Sequence, residues 1–141
     1  MKKTRGLNKK TEDKQYMNII GISKAATMAI AALVELSRSP SALSNRILAK
    51  RLYFREMSLS KVLQRLKGAG LLVSIRGPHG GYILRSPSCN TTVAAVVQAI
   101  DGPFEPGSIV GSGRHGQMML RLEESAREIL RDYTIEFLAG V

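Results

Sequence analysis

The residues with the most to say about chemistry are RGPHGGY, Arg76 to Tyr82: one arginine followed by three glycines, a proline and a histidine. Such a run cannot form a helix and barely forms a strand, so it reads as a stiffened turn with an arginine at its base. A permanently charged guanidinium there suits a polyanion. It is slim enough for the minor groove of B-DNA, and glycines let a backbone approach phosphates closely. A little upstream, Ser58, Ser60, Lys61, Gln64 and Arg65 supply donors and acceptors within one helix-length stretch. Glutamine pairs bidentately with adenine, and lysine donates to guanine or phosphate. Lys24, Arg55, Gly77, His79, Gly80 and Tyr82 complete the candidate set for contacting nucleic acid.

Other chemistry finds few residues to work with. Cys89 is the only cysteine, so the chain builds neither an internal disulfide nor a cysteine-rich metal site. His79 and His115 are the only histidines, and they fall in different predicted elements, which leaves no Ser/His/Asp constellation. The expectation is no catalytic residue, no metal and no cofactor. GSGRHG, Gly111 to Gly116, matches three spaced glycines of a dinucleotide loop but lacks the preceding strand and βαβ unit, so it reads as a connector. Cys89 is a candidate redox thiol, with an ordinary partly buried cysteine as the alternative.

Composition points the same way. The 141 residues suit one compact domain with an arm, and the absence of tryptophan leaves an aliphatic core. The net charge of +10 favours a polyanionic partner. It is unevenly spread: residues 46–85 hold nine Lys/Arg against one acid, whereas residues 86–141 hold four against seven. The apolar run Ala25 to Leu33 is shorter than the ~20 residues a membrane span needs, and the basic N-terminus leads into no apolar stretch. A cytoplasmic protein with no membrane partner is expected.

The candidate residues need elements to hold them. Residues 1–16 read as a disordered basic arm or a non-native extension. From Ser23, a candidate N-cap, Ala26, Ile30, Leu33, Val34 and Leu36 recur at helical spacing until SRSPS at Ser37 to Ser41. A second helix fits Ser44 to Leu52 and a third Met57 to Ala69, where Leu59, Val62, Leu63 and Leu66 share a face. Leu71 to Ile75 and Tyr82 to Leu84 read as a hairpin around the arginine turn. Two short helices, a tight connection and a hairpin make a winged helix-turn-helix over residues 17–86. Residues 87–141 form the remainder: a helix over Thr92 to Ile100, a breaker run, and one long helix over Gln117 to Leu138. In that last helix Met119, Leu122, Ala126, Ile129, Tyr133 and Phe137 make a stripe too long for this domain to bury, so it is expected to pack on a second copy. The fold class is mainly α with a small β-hairpin.

Five stretches resemble the Rrf-two family of bacterial winged-helix regulators. ALVELS at Ala32 to Ser37 is similar to the end of that family's first helix, and LSKVLQRLKGAGLL at Leu59 to Leu72 to its recognition helix. RGPHGGYIL at Arg76 to Leu84 is similar to its wing signature; TVAAVVQAIDGP at Thr92 to Pro103 and LRDYTIEFL at Leu130 to Leu138 resemble the helix after the wing and the end of the dimerisation helix. The resemblance implies a homodimer that binds a pseudo-palindromic operator on double-stranded DNA, usually as a repressor, with Arg76 in the minor groove and Ser58, Ser60 and Lys61 reading bases. Many members hold an iron–sulfur cluster through three cysteines in the connector before the long helix. Phe104 to Gln117 contains none, which aligns this chain with the cluster-free members that respond to an effector protein, a small ligand or thiol oxidation. Met28 stands where the family often has tyrosine. A thiol- or ligand-responsive sensor using Cys89 or a dimer-interface pocket, and a winged-helix protein-interaction module without DNA, are the alternatives.

Overall fold

A serine or threonine hydroxyl caps the start of four of the described helices. In the computed structural model, which describes residues 22–104 and 113–140, helix α1 (Lys24–Arg38) starts where the Ser23 hydroxyl accepts from the Ala26 N–H at 3.0 Å. Helix α2 (Asn45–Leu52) starts the same way, with Ser44 accepting from Ile47 N–H at 3.2 Å. Each cap satisfies an N–H that has no partner within the helix, worth about 1 kcal/mol. Helix α3 (Glu56–Gly68) follows a short turn and ends at Ala69 and Gly70, whose positive φ of 79° lets the chain reverse into the hairpin.

The hairpin pairs β1 (Leu72–Ile75) antiparallel with β2 (Gly81–Leu84), in the register Leu72 opposite Leu84 and Ile75 opposite Gly81. A short 3-10 turn at Ser88–Asn90 leads to α4 (Val93–Asp101), which is capped by Thr92. The expected arm at residues 1–16, residues 17–21 of the expected winged domain and residues 105–112 of the connector lie outside the described residues.

The C-terminal part departs from the reading as one helix. Helix α5 (Gly113–Asp132) begins inside the stretch read as connector, and a break at Tyr133 and Thr134 separates it from α6 (Ile135–Ala139). The reason is a tertiary pairing. Val93 N–H donates to the Tyr133 carbonyl and Ile135 N–H to the Thr91 carbonyl, each at 2.9 Å, so the chain is held extended there. Thr134, at φ −107° and ψ 163°, then caps α6 by accepting from Phe137 N–H at 3.2 Å. Apolar spacing continues across the break, so periodicity could not reveal it.

One aliphatic core holds these elements together. Leu33 of α1, Leu63 and Leu66 of α3, Val96 and Val97 of α4 and Ile135 of α6 are fully buried in a single cluster. Each such side chain contributes about 1.5–3 kcal/mol by leaving water. The core runs without interruption from the helix-turn-helix into α4 and α6, with α1 at its centre touching α2, α3, α4, α6 and β2. Asp101 ties the end of α4 to the start of α1. Its carboxylate accepts from the Ser23 N–H at 2.9 Å and from the Ser23 hydroxyl, at the positive end of the α1 dipole.

Candidate nucleic-acid interface

The recognition helix of a helix-turn-helix must be held by its neighbour while its outer face stays clear. Leu59, Val62, Leu63 and Leu66 bury one side of α3, which leaves Ser58, Lys61, Gln64 and Lys67 exposed and Ser60 half-buried. The junction with α2 is fixed by backbone and side chain alike. Phe54 N–H donates to the Ala49 carbonyl at 2.9 Å, and the Asn45 amide donates to the Glu56 carbonyl at 3.0 Å. Tyr53, between the helices, adopts φ 58° and ψ 37°, the only non-glycine residue with positive φ among those described. Its ring is 95% exposed.

The wing is built around close backbone approach. Gly80 N–H donates to the Gly77 carbonyl at 2.9 Å to close the loop 76–80, and a Cβ on Gly80 would lie 2.1 Å from the Ile75 carbonyl oxygen. Gly81 has φ 148°, and a Cβ there would meet the Leu43 carbonyl at 2.4 Å. That proximity follows from a third pairing: Tyr82 N–H donates to Leu43 at 2.8 Å and Leu43 N–H donates to Tyr82 at 3.2 Å. The hairpin is thereby fastened to the residue just ahead of the Ser44 cap of α2. Arg76, Gly77 and His79 stay exposed in the loop, and no described carboxylate pairs with Arg76.

Two of the predicted contact residues have other occupations. Arg65 donates to the Ile100 carbonyl at the C-terminal end of α4, where helix carbonyls lack partners, so its guanidinium braces α3 against α4. Tyr82 is half-buried against the core and serves through its backbone to hold the wing. Lys24, at the first position of α1, and Arg55, at the N-cap of α3, are exposed. Arg51 pairs with Glu35 at 3.0 Å on the surface, a contact worth under about 1 kcal/mol. Sequence reasoning passed over Met57, 78% exposed in the first turn of α3. Its helical phase, away from the buried stripe, was the available signal.

The stripe assigned to a second copy divides on α5 and α6. Met119 and Ala126 are half-buried and turned partly toward the body of the domain, with Gly116 and Leu130 buried beside them. Leu122 and Ile129 are exposed at 47% and 55%, and Met118 lies on their side of the helix. Tyr133 and Phe137 extend this surface, their rings meeting edge to face at 4.8 Å. Cys89 lies in the 3-10 turn between wing and α4. None of the described helices is long and apolar enough to cross a membrane.

Comparison with known proteins agrees with this architecture. The family model described as Rrf2, iron-dependent transcriptional regulator, matches residues 22–140. The HTH-type transcriptional regulator CymR of Bacillus subtilis is 27% identical over 125 residues, covering 84% of this chain and 89% of that protein. The solved structure of CymR, the global cysteine regulator of B. subtilis, superposes with a TM-score of 0.76 at 26% identity, over 84% of this chain and 95% of that one. T. potens IscR shares the fold at 21% identity and a TM-score of 0.73, over 84% of this chain and 85% of that one. A winged helix-turn-helix with a basic recognition helix, its hairpin bonded to the start of α2, and a match along nearly the whole described chain place this protein in the Rrf2 family of DNA-binding transcriptional regulators.

Proposed function

We propose that the protein is a homodimeric repressor that recognises a pseudo-palindromic operator and holds no iron–sulfur cluster. The observation that carries the reading is the bond between wing and helix-turn-helix. Because Leu43 and Tyr82 are mutually hydrogen-bonded, Arg76 and the exposed side chains of α3 belong to one rigid frame, within the segment where nine basic residues face one acid. Such a frame suits a helix in the major groove and an arginine in the adjacent minor groove. The apolar surface of Leu122, Ile129 and Phe137 supports a second copy, since a twofold pair presents two such frames to two half-sites.

The donor inventory does not fit the iron–sulfur centre that the family description brings to mind. Cys89 is the only cysteine of the chain, and no group of three His, Cys, Asp or Glu side chains gathers among the described residues. Three thiolates from one chain are unattainable.

The test is a selection of genomic fragments by the purified protein, followed by titration of the enriched duplex at several salt concentrations. A palindromic enriched sequence and a log K that falls by about 0.9 per phosphate neutralised are expected. Absence of any enriched sequence would defeat the reading. Iron and acid-labile sulfide, measured on protein purified without oxygen, are expected to be absent.

A further inference from the structure

The outermost ridge of α3, opposite its buried stripe, runs through Met57, Lys61, Gln64 and Gly68 at helical spacing. Lys61 and Gln64 are ordinary residues for a surface that meets base edges. Met57 is not. It is an unbranched apolar side chain, 78% exposed, in the first turn of the helix, between the exposed Arg55 and Lys61. Isolated exposed apolar residues are common on any surface and by themselves mean little. Here the position gives the residue meaning, because the ridge on which Met57 stands is the part of α3 that penetrates furthest when the helix enters a groove.

Among base edges in the major groove, only one group is apolar: the C5 methyl of thymine. We propose that Met57 is a specificity-determining residue whose thioether side chain packs on a thymine methyl in each operator half-site. The inference rests on the DNA-binding reading above and names one base that it reads. The charge around Met57 favours DNA over a protein as the group that covers it. Residues 46–85 hold nine Lys/Arg, among them Arg55 and Lys61 on either side of Met57 in sequence, against Glu56 as the one acid. The side chain is flexible and polarisable, which lets it follow a methyl without demanding one fixed rotamer.

The experiment uses the duplex enriched by the full-length protein in the genomic selection. Each thymine of one half-site is replaced in turn by uracil, which removes the C5 methyl and leaves every hydrogen-bonding group in place. Affinities are measured for the wild-type protein and for Met57→Ala, a change at an exposed helical position that leaves the thermal midpoint nearly unaltered. At one position the wild-type protein is expected to lose about fourfold in affinity, the value of one buried methyl, while Met57→Ala binds thymine and uracil duplexes equally. The proposal is overturned if the wild-type protein tolerates uracil everywhere, if the uracil penalty persists undiminished in Met57→Ala, or if the selected half-site contains no thymine. It is also overturned if Met57→Ala keeps full affinity but loses self-association, since a second copy would then cover the residue. If no duplex is enriched at all, the DNA-binding reading fails and takes this one with it; failure on an enriched duplex removes only the role of Met57.

Discussion

Leu43 and Tyr82 exchange backbone hydrogen bonds of 2.8 and 3.2 Å, so the wing of this regulator is fastened to the entrance of its helix-turn-helix rather than hanging free. A two-stranded hairpin alone is marginal in water. The third pairing, with Tyr82 and Leu84 packed on the core, gives it a fixed direction.

Gly81→Ala is the direct test of that attachment. A Cβ at this position would lie 2.4 Å from the Leu43 backbone and 2.6 Å from Ser44 N, at a φ of 148° that alanine avoids. The expected loss is about 3 kcal/mol in chemical denaturation, from strain and displaced backbone together. Gly77→Ala, at φ 111° with open space around it, is expected to lose only about 1–2 kcal/mol. Equal losses for the two variants would show that the contact with Leu43 does not hold the wing.

Arg76→Ala is expected to weaken binding to the selected operator about tenfold, and to reduce the preference for A·T-rich flanks. Because Arg76 makes no ion pair with a described carboxylate, its loss should leave the unfolding midpoint unchanged. Titrations of specific and scrambled duplexes separate the two effects; an unchanged ratio of affinities would exclude the minor-groove role.

Leu122→Lys combined with Ile129→Lys places two charges on the exposed apolar side of α5. Sedimentation velocity is expected to show a dimer for the wild-type protein, as proposed above, and a monomer for the double variant, with the helical circular dichroism retained, because neither side chain contributes to the core. An intact dimer would move the interface to another surface.

Tyr53→Gly is expected to stabilise the protein by about 1 kcal/mol. The residue lies at the left-handed position after α2, where a bulky side chain is strained and glycine is at ease, and its ring is 95% exposed, so little packing is lost. Thermal unfolding with both proteins at one concentration reads the difference. A lower midpoint would mean that the ring makes a contact absent from the single chain.

Much of this fold was legible in local chemistry. Ser23, Ser44 and Thr92 announce helix starts, the stripe from Leu59 to Leu66 announces the buried side of α3, and RGPHGGY announces a hairpin loop, because caps, amphipathic faces and turns are each fixed by residues close together in the chain. The concentration of positive charge in residues 46–85 likewise points to a polyanion from composition alone.

What only the tertiary structure decided are relationships between residues far apart. The turn at Tyr133 and Thr134 exists because Thr91 and Val93 hold the backbone there, and no period within the final stretch records it. Arg65 looked free on a basic helix until the end of α4 came within reach of its guanidinium. The stripe on α5 looked uniform until the domain body partly sheltered Met119 and Ala126 and left Leu122 and Ile129 in water. A sequence encodes spacing along one chain, so it foretells which faces are apolar and where turns fall. Which face meets which neighbour, and which charge is already engaged, is set only when long-range burial of the shared core brings distant elements together.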